Sequence, residues 1–308
     1  MCCPSRSSIV SGRYQHNTKC VRNSISGGCS SPWWIENIEK NATLATHLSA
    51  HGWRTAYFGK YLNQYAEDKA GVARVPPGWT EWLGLKGNSR YYHYTLSDNG
   101  KPEDHGSDYA RDYLTDLLAN RSSAFLQRSF RDHPDSPVFA MVGTPAAHSP
   151  YDTAPEFAAL YPNVTAPRTP NWNTARAGKH WLVGEHRVMG PGEIAFSDLT
   201  YRRRLITLLS LDRLVERLVV TLTEAGKMDH TWLFFSSDNG FHMGQFTMPD
   251  DKRLPYEEDI RVPLVVRPPG GLPQALTTTS SRPKPSVTHL YCNSNPAGPN
   301  LEQHRAQH

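Results

Sequence analysis

Long apolar runs are missing from this 308-residue sequence. A membrane-spanning helix needs about 20 consecutive apolar residues, so no membrane span is expected. The first residues also lack the charged and apolar regions of a signal peptide, and read as written the chain has no route into the secretory pathway. Net charge is small: 33 Lys+Arg against 29 Asp+Glu leave a formal +4. That is too weak and too evenly spread to imply a nucleic-acid partner, although it suits an acidic substrate. Cysteine is scarce, at five, and the odd number leaves one over. Cys20 and Cys29 are spaced to close a short loop, a pairing that spacing alone does not decide. No internal repeat is present.

What is there points elsewhere. Asn41, Asn120 and Asn163 each open an N-glycosylation sequon in a polar context, as in chains made in the endoplasmic reticulum. Several β-branched or aromatic runs end abruptly in Gly, Pro, Asn or Asp, the pattern of strands running into loops. The clearest are 54–58, 137–142, 231–236 and 262–266. Helical patterns fall between them at 43–51, 108–130 and 194–225, the last with leucines three and four residues apart. Strand and helix alternate, which predicts an α/β fold with a mixed, mostly parallel sheet sandwiched by helices. Residues 145–191, rich in Pro, Asn, Trp and Gly, are expected to form a long surface excursion. Residues 1–273 carry the core pattern, whereas 274–308 are polar, Pro-rich and read as a disordered tail.

In open α/β sheets ligands sit at the carboxyl ends of strands. Applied here, the rule brings Lys60, His148, Asp238 and Asn239 to one rim: a cation, an acid/base and two oxygen ligands. Each has a plain structural alternative, since Asp238-Asn239-Gly240 is a good turn sequence and Lys60 and His148 could be surface residues. The opening stretch, Cys2-Cys3-Pro4-Ser5-Arg6 followed by Gly12-Arg13, reads as a helix with Pro4 in its first turn and Gly12 at its close. Its N-terminus would offer free N–H groups to an anion.

This opening resembles the signature of the sulfatase family, C-x-P-S-R followed by a Gly-Arg or Gly-Lys, with Val10-Ser11 in place of the usual Leu-Thr. The stretches GWRTAYFGKYLNQY, VPPGWTEW, TPAAHSP, KHWL, SDNGFHMGQF and DKRLPYEEDIRVPL resemble the N-acetylglucosamine-6-sulfatase branch over about residues 2–273. The extracellular heparan 6-O-endosulfatases are the nearest rival. The resemblance implies an alkaline-phosphatase-like fold and hydrolysis of the 6-sulfate of N-acetylglucosamine in heparan or keratan sulfate. It implies that Cys2 is oxidised to formylglycine (3-oxoalanine) by the formylglycine-generating enzyme, giving a hydrated aldehyde that attacks sulfur and later expels sulfate. By the same resemblance Arg6 holds that group, Lys60 and Lys252 bind sulfate oxygens, and His148 contacts sulfate or assists the leaving oxygen. Asp238 and Asn239 would ligate one Ca2+ together with the modified Cys2. His16 is a candidate near the site, and Leu62 stands where many sulfatases carry histidine. A lysosomal destination follows from the branch.

Family members supply further calcium ligands from an aspartate pair on a strand before the signature. The sequence starts at the signature, so this chain is expected to be incomplete and inactive as it stands. Two further readings remain open: a non-catalytic glycosaminoglycan-binding fragment, and a phosphatase or phosphodiesterase of the same superfamily. The cysteine at the nucleophile position argues against the second.

Overall fold

The structure, a computed structural model, describes residues 1–175, 178, 180 and 187–271. A five-stranded sheet lies at its centre. It is built from β1 (Arg54–Lys60), β2 (Glu81–Leu85), β3 (Tyr94–Asp98), β4 (Lys101–His105) and β5 (Val138–Gly143), in the order β4-β3-β2-β1-β5. β1 runs parallel to both β2 and β5, while β3 and β4 extend the sheet as an antiparallel hairpin. Two more strands, β6 (Leu233–Ser236) and β7 (Leu264–Arg267), pair antiparallel with each other in a separate sheet.

The side-chain alternation of β1 sets up two cores, because successive residues in a strand point to opposite faces. Ala56 and Phe58 enter one apolar cluster with Leu83, Leu85 and Leu96. Tyr57 enters the other, with Trp34, Tyr61, Tyr65 and Trp82. The first cluster is covered by α3 (Leu114–Asp132) and α4 (Pro191–Glu224), through Leu114, Leu118 and Phe125 of one and Leu214 and Leu222 of the other. The second face is closed in part by α1 (Cys2–Ser11), whose Cys3 and Val10 join it. A short helix, α2 (Leu44–Ala50), leads into β1; Thr43 caps it by accepting the Thr46 N–H, in a reciprocal capping box.

Two expectations change on inspection. The helical pattern at 108–130 is broken at Tyr113, which adopts an extended conformation between the turn Tyr109–Asp112 and α3. Its buried ring is held by the phenol, which donates to the Asp152 carbonyl at 3.2 Å and pairs with Ser210 Oγ at 3.3 Å. Cysteine pairing also differs from the short Cys20–Cys29 loop: the disulfide joins Cys3 to Cys29, with Cα atoms 6.0 Å apart, and leaves Cys2 and Cys20 as buried thiols. Among the described residues no helix is long and apolar enough to cross a membrane. The segment 274–308 lies outside the described residues.

Candidate active site

α1 starts at Cys2, carries Pro4 in its first turn and closes on Gly12 in the left-handed region, as the sequence suggests. One turn along, Arg6 crosses from the helix to the sheet. Its Nε donates to Asp238 Oδ2 at 2.7 Å and its Nη1 donates to the Lys60 carbonyl at 2.5 Å. The Tyr57 hydroxyl donates to that same carbonyl at 2.5 Å. Gly143, at the end of β5, makes this approach possible. A Cβ there would lie 2.5 Å from the Lys60 carbonyl oxygen and 3.2 Å from Arg6 Nη1.

The side chains around this junction tune one another. Burial opposes ionisation of Asp238, but Arg6, Lys60 and Lys252 outweigh it and hold the carboxyl well below the usual carboxylate range. Lys60 is 2% exposed. Burial first, then the Arg6 charge, push its ammonium down to about 8, with Lys252 adding to the effect and Cys2 and Asp238 opposing it. Burial, Lys252 and Lys60 lower His148 to about 4, and its Nδ1 is paired with the Ser149 carbonyl at 2.7 Å. These mutual influences bring Cys2, Arg6, Lys60, His148, Asp238 and Lys252 into one electrostatic neighbourhood. Three cations crowded there with a single ionised carboxylate form a ready receptor for an anion.

Lys252 reaches the group from a loop tied down by a buried pair. His242 Nδ1 and Asp259 Oδ1 are 2.7 Å apart, and Asp259 Oδ2 accepts the Leu254 N–H at 3.0 Å. The backbones of His242 and Asp251 are bridged as well. Asn239 follows Asp238 and donates from Nδ2 to the Gly240 carbonyl at 2.7 Å. Its Oδ1 is buried without a hydrogen-bond partner among the described residues. A buried acceptor left open beside an ionised carboxylate suits a hard cation such as calcium, of whose six to eight oxygens these residues supply two. The side chains present therefore fit part of a calcium sphere.

Sequence reasoning missed two members of this neighbourhood. Tyr57 was hidden because it reads as one more core aromatic of β1. Arg204 was hidden in the leucine-rich pattern of α4, and its only signal was the run Arg202-Arg203-Arg204, too long for one solvent-facing stripe. The Arg204 guanidinium donates to the Ala147 carbonyl at 2.6 Å and lies 3.9 Å from the centre of the Phe241 ring. It thereby joins the loop bearing His148 to the segment bearing Asn239, and it is hydrogen-bonded to the Tyr151 side chain as well. His16 is exposed and stacks on Tyr14, with ring centres 5.7 Å apart. Leu62 is fully buried. Asn41, Asn120 and Asn163 are all exposed. Of the KHWL stretch only His180 is among the described residues.

The sulfatase family matches residues 1–291. N-acetylglucosamine-6-sulfatase of Homo sapiens is 47% identical over 272 residues, covering 88% of this chain and 49% of the relative. The Bos taurus protein of the same name is equally similar, at 47% identity with 48% of the relative covered. An extracellular sulfatase SULF-1 homolog of Drosophila melanogaster is 43% identical over 88% of this chain and 24% of its own length. The chain thus spans about half the length of the curated N-acetylglucosamine-6-sulfatases it matches. Among solved structures, one of a protein bound to its substrate D-glucosamine-2-N,6-O-disulfate superposes with a TM-score of 0.66 at 21% identity, over 88% of this chain and 62% of that one. A phosphonate monoester hydrolase of Silicibacter pomeroyi superposes at 0.61 and 19% identity, over 88% and 59%, so the fold alone does not choose between sulfur and phosphorus. With the family match spanning most of the sequence, the chain belongs to the sulfatase family.

Proposed function

We propose that this chain is the nucleophile-bearing part of a sulfuric ester hydrolase that removes the 6-sulfate of N-acetylglucosamine residues in heparan or keratan sulfate. The observation that carries the reading is the convergence of Cys2, Arg6, Lys60, His148 and Lys252 beside Asp238. That arrangement combines a candidate nucleophile, three cations for the anionic sulfate ester and the sulfate dianion it releases, and a histidine kept neutral near the leaving oxygen. The 47% identity to curated N-acetylglucosamine-6-sulfatases supports the substrate class.

Within this reading Cys2 is converted to formylglycine by a formylglycine-generating enzyme, and in that form it supplies the oxygen nucleophile. Calcium, where bound, adds positive charge next to the sulfate, held by Asp238 and Asn239. The remaining work falls to the chain's own groups. Lys60 and Lys252 neutralise the sulfate oxygens, while Arg6 fixes Asp238 and the Lys60 backbone so that both keep their places. His148 Nδ1–H donates to the Ser149 carbonyl, so neutral His148 presents Nε2 as an acceptor: it takes the proton released by the attacking hydroxyl and delivers it to the departing ester oxygen. The buried Cys3–Cys29 disulfide and the exposed sequon asparagines support a secretory route, with the lysosome as destination.

The test is sulfate release from 6-sulfated N-acetylglucosamine by the protein of the complete reading frame, made in a secretory host. Turnover should vanish in Cys2→Ala, and the Cys2 peptide of the wild type should carry the aldehyde mass. Full turnover in Cys2→Ala, or preference for a phosphate monoester, overturns the reading. Tight binding of heparan sulfate with an unmodified Cys2 would favour the non-catalytic binder instead. Release from the chain interior would favour the endosulfatase alternative.

A further inference from the structure

Beside the candidate nucleophile lies a second group of sulfurs that the proposed reaction does not use. Cys3, Cys20 and Cys29 are each fully buried, and their sulfurs lie within 4.8 Å of one another. Cys3 and Cys29 are bonded, and the free Cys20 Sγ is 3.4 Å from Cys3 Sγ. The approach is built into the backbone. Residues 20–29 form a pinched loop in which the Val21 and Arg22 N–H groups both donate to the Gly27 carbonyl, at 2.8 and 3.1 Å. At Gly28, with φ of 91°, a Cβ would fall 2.0 Å from the Lys19 carbonyl oxygen and 3.0 Å from Cys20 Cα. A glycine is required there for the arm bearing Cys20 to lie against the arm bearing Cys29.

We propose that Cys3 has two disulfide partners, Cys29 and Cys20, which exchange within this buried cluster. In the exchange Cys20 loses its proton and its sulfur attacks Cys3 Sγ. The Cys3–Cys20 bond forms, the Cys3–Cys29 bond breaks, and the electron pair leaves on Cys29 Sγ, which takes up a proton. No electrons are gained or lost overall, so no oxidant is needed. Both arrangements have an acceptor waiting for the released thiol. Cys20 Sγ now lies 3.8 Å from the Arg22 carbonyl oxygen, and Cys29 Sγ lies 2.9 Å from the Asn63 carbonyl oxygen, ready to receive a hydrogen bond when Cys29 becomes the thiol. Burial keeps solvent thiols away, which leaves Cys20 as the attacking group. Burial also pushes the Cys20 thiol up to about 11, with a hydrogen bond to Ser7 pulling the other way. The exchange is therefore nearly frozen in mild acid and quickens with alkali.

Because the cluster is separate from the sulfate-binding groups, the test needs no turnover. Folded protein is held at pH 5 or pH 9, quenched in acid, alkylated, digested with pepsin without reduction, and mapped by mass spectrometry. A Cys3–Cys20 peptide should appear beside Cys3–Cys29 at pH 9, its rate of appearance rising about tenfold per pH unit as the thiolate fraction grows. It should be absent from Cys20→Ser. In Cys29→Ser folded with oxidised glutathione as the oxidant, the Cys3–Cys20 bond should form fully. Detection of only Cys3–Cys29 after prolonged incubation at pH 9 overturns the proposal. So do free Cys3 and Cys20 thiols in folded Cys29→Ser, or crosslinks of Cys2 or of Cys292, the fifth cysteine of the sequence, at levels equal to Cys3–Cys20, which would mark general scrambling.

Discussion

Arg6 and Asp238, 232 residues apart in sequence, meet at 2.7 Å. Their ion pair joins the first helix to the segment after β6, so the two ends of the described chain close the site between them. Their side chains are only 13% and 16% exposed.

Asp238→Asn should therefore destabilise the protein strongly, because it leaves the guanidinium buried without a counter-charge. Removing one member of a buried pair costs about 3–5 kcal/mol, and the partial solvent access here places the expectation near the lower end. Urea unfolding measures it, and a loss below about 1 kcal/mol would contradict the pairing. The carboxyl is depressed in the folded state, so the stabilisation is complete above its unfolded value near pH 4 and fades as the pH falls below that. Wild-type and variant stabilities should converge in acid.

Lys60 gives a pH dependence of opposite origin. Its ammonium is lowered to about 8 by burial and by Arg6, so the folded state carries a penalty below pH 8 that is relieved as the pH climbs toward the ordinary lysine value. Lys60→Met should consequently be more stable than wild type at pH 7 while losing sulfate affinity. In the wild type, sulfate affinity measured by calorimetry should decline as the pH passes about 8. The variant should show no such decline.

His148 is lowered to about 4, and across the mildly acidic range it is neutral. The acidic limb of kcat/KM for the active enzyme should lie near pH 4, well under the ordinary histidine range. His148→Ala should reduce kcat by about 10²–10⁴-fold, the usual contribution of a positioned acid or base, with a smaller change in KM. A limb that stays in place in the variant would assign it to another group.

Arg204→Met should loosen the join between the His148 loop and the segment of Phe241, because the Ala147 carbonyl loses its donor. An unsatisfied buried acceptor costs about 1–3 kcal/mol, and this bond is only part-buried, so the loss is expected near the lower end. Thermal unfolding should report that loss, and Arg204→Lys should recover part of it. Equal stability of Arg204→Met and wild type would remove Arg204 from this role.

The strand-end rule found Lys60, His148, Asp238 and Asn239 because β1, β5 and β6 are buried or apolar enough to be read as strands, and each runs directly into a polar loop. Lys252 was legible only through resemblance, since it sits in a charge run with no strand before it. The hairpin of β3 and β4 went unrecognised although Asp98-Asn99-Gly100 is a strong turn signal. β4, Lys101-Pro102-Glu103-Asp104-His105, has no apolar residue to alternate, and its place at the sheet edge is what tolerates that composition. The Cys3–Cys29 bond was beyond the sequence because it depends on how α1 lies against the 20–29 loop, a tertiary relation that spacing does not encode.

Cys2 is 1% exposed once folding is complete. If Cys2 is converted to formylglycine as proposed, the converting enzyme must catch the residue while the polypeptide is still open, ahead of the arrival of Asp238 against Arg6. Maturation and collapse would then compete in time, and a substitution that hastens packing of the first helix would raise the share of molecules that fold with an unaltered thiol.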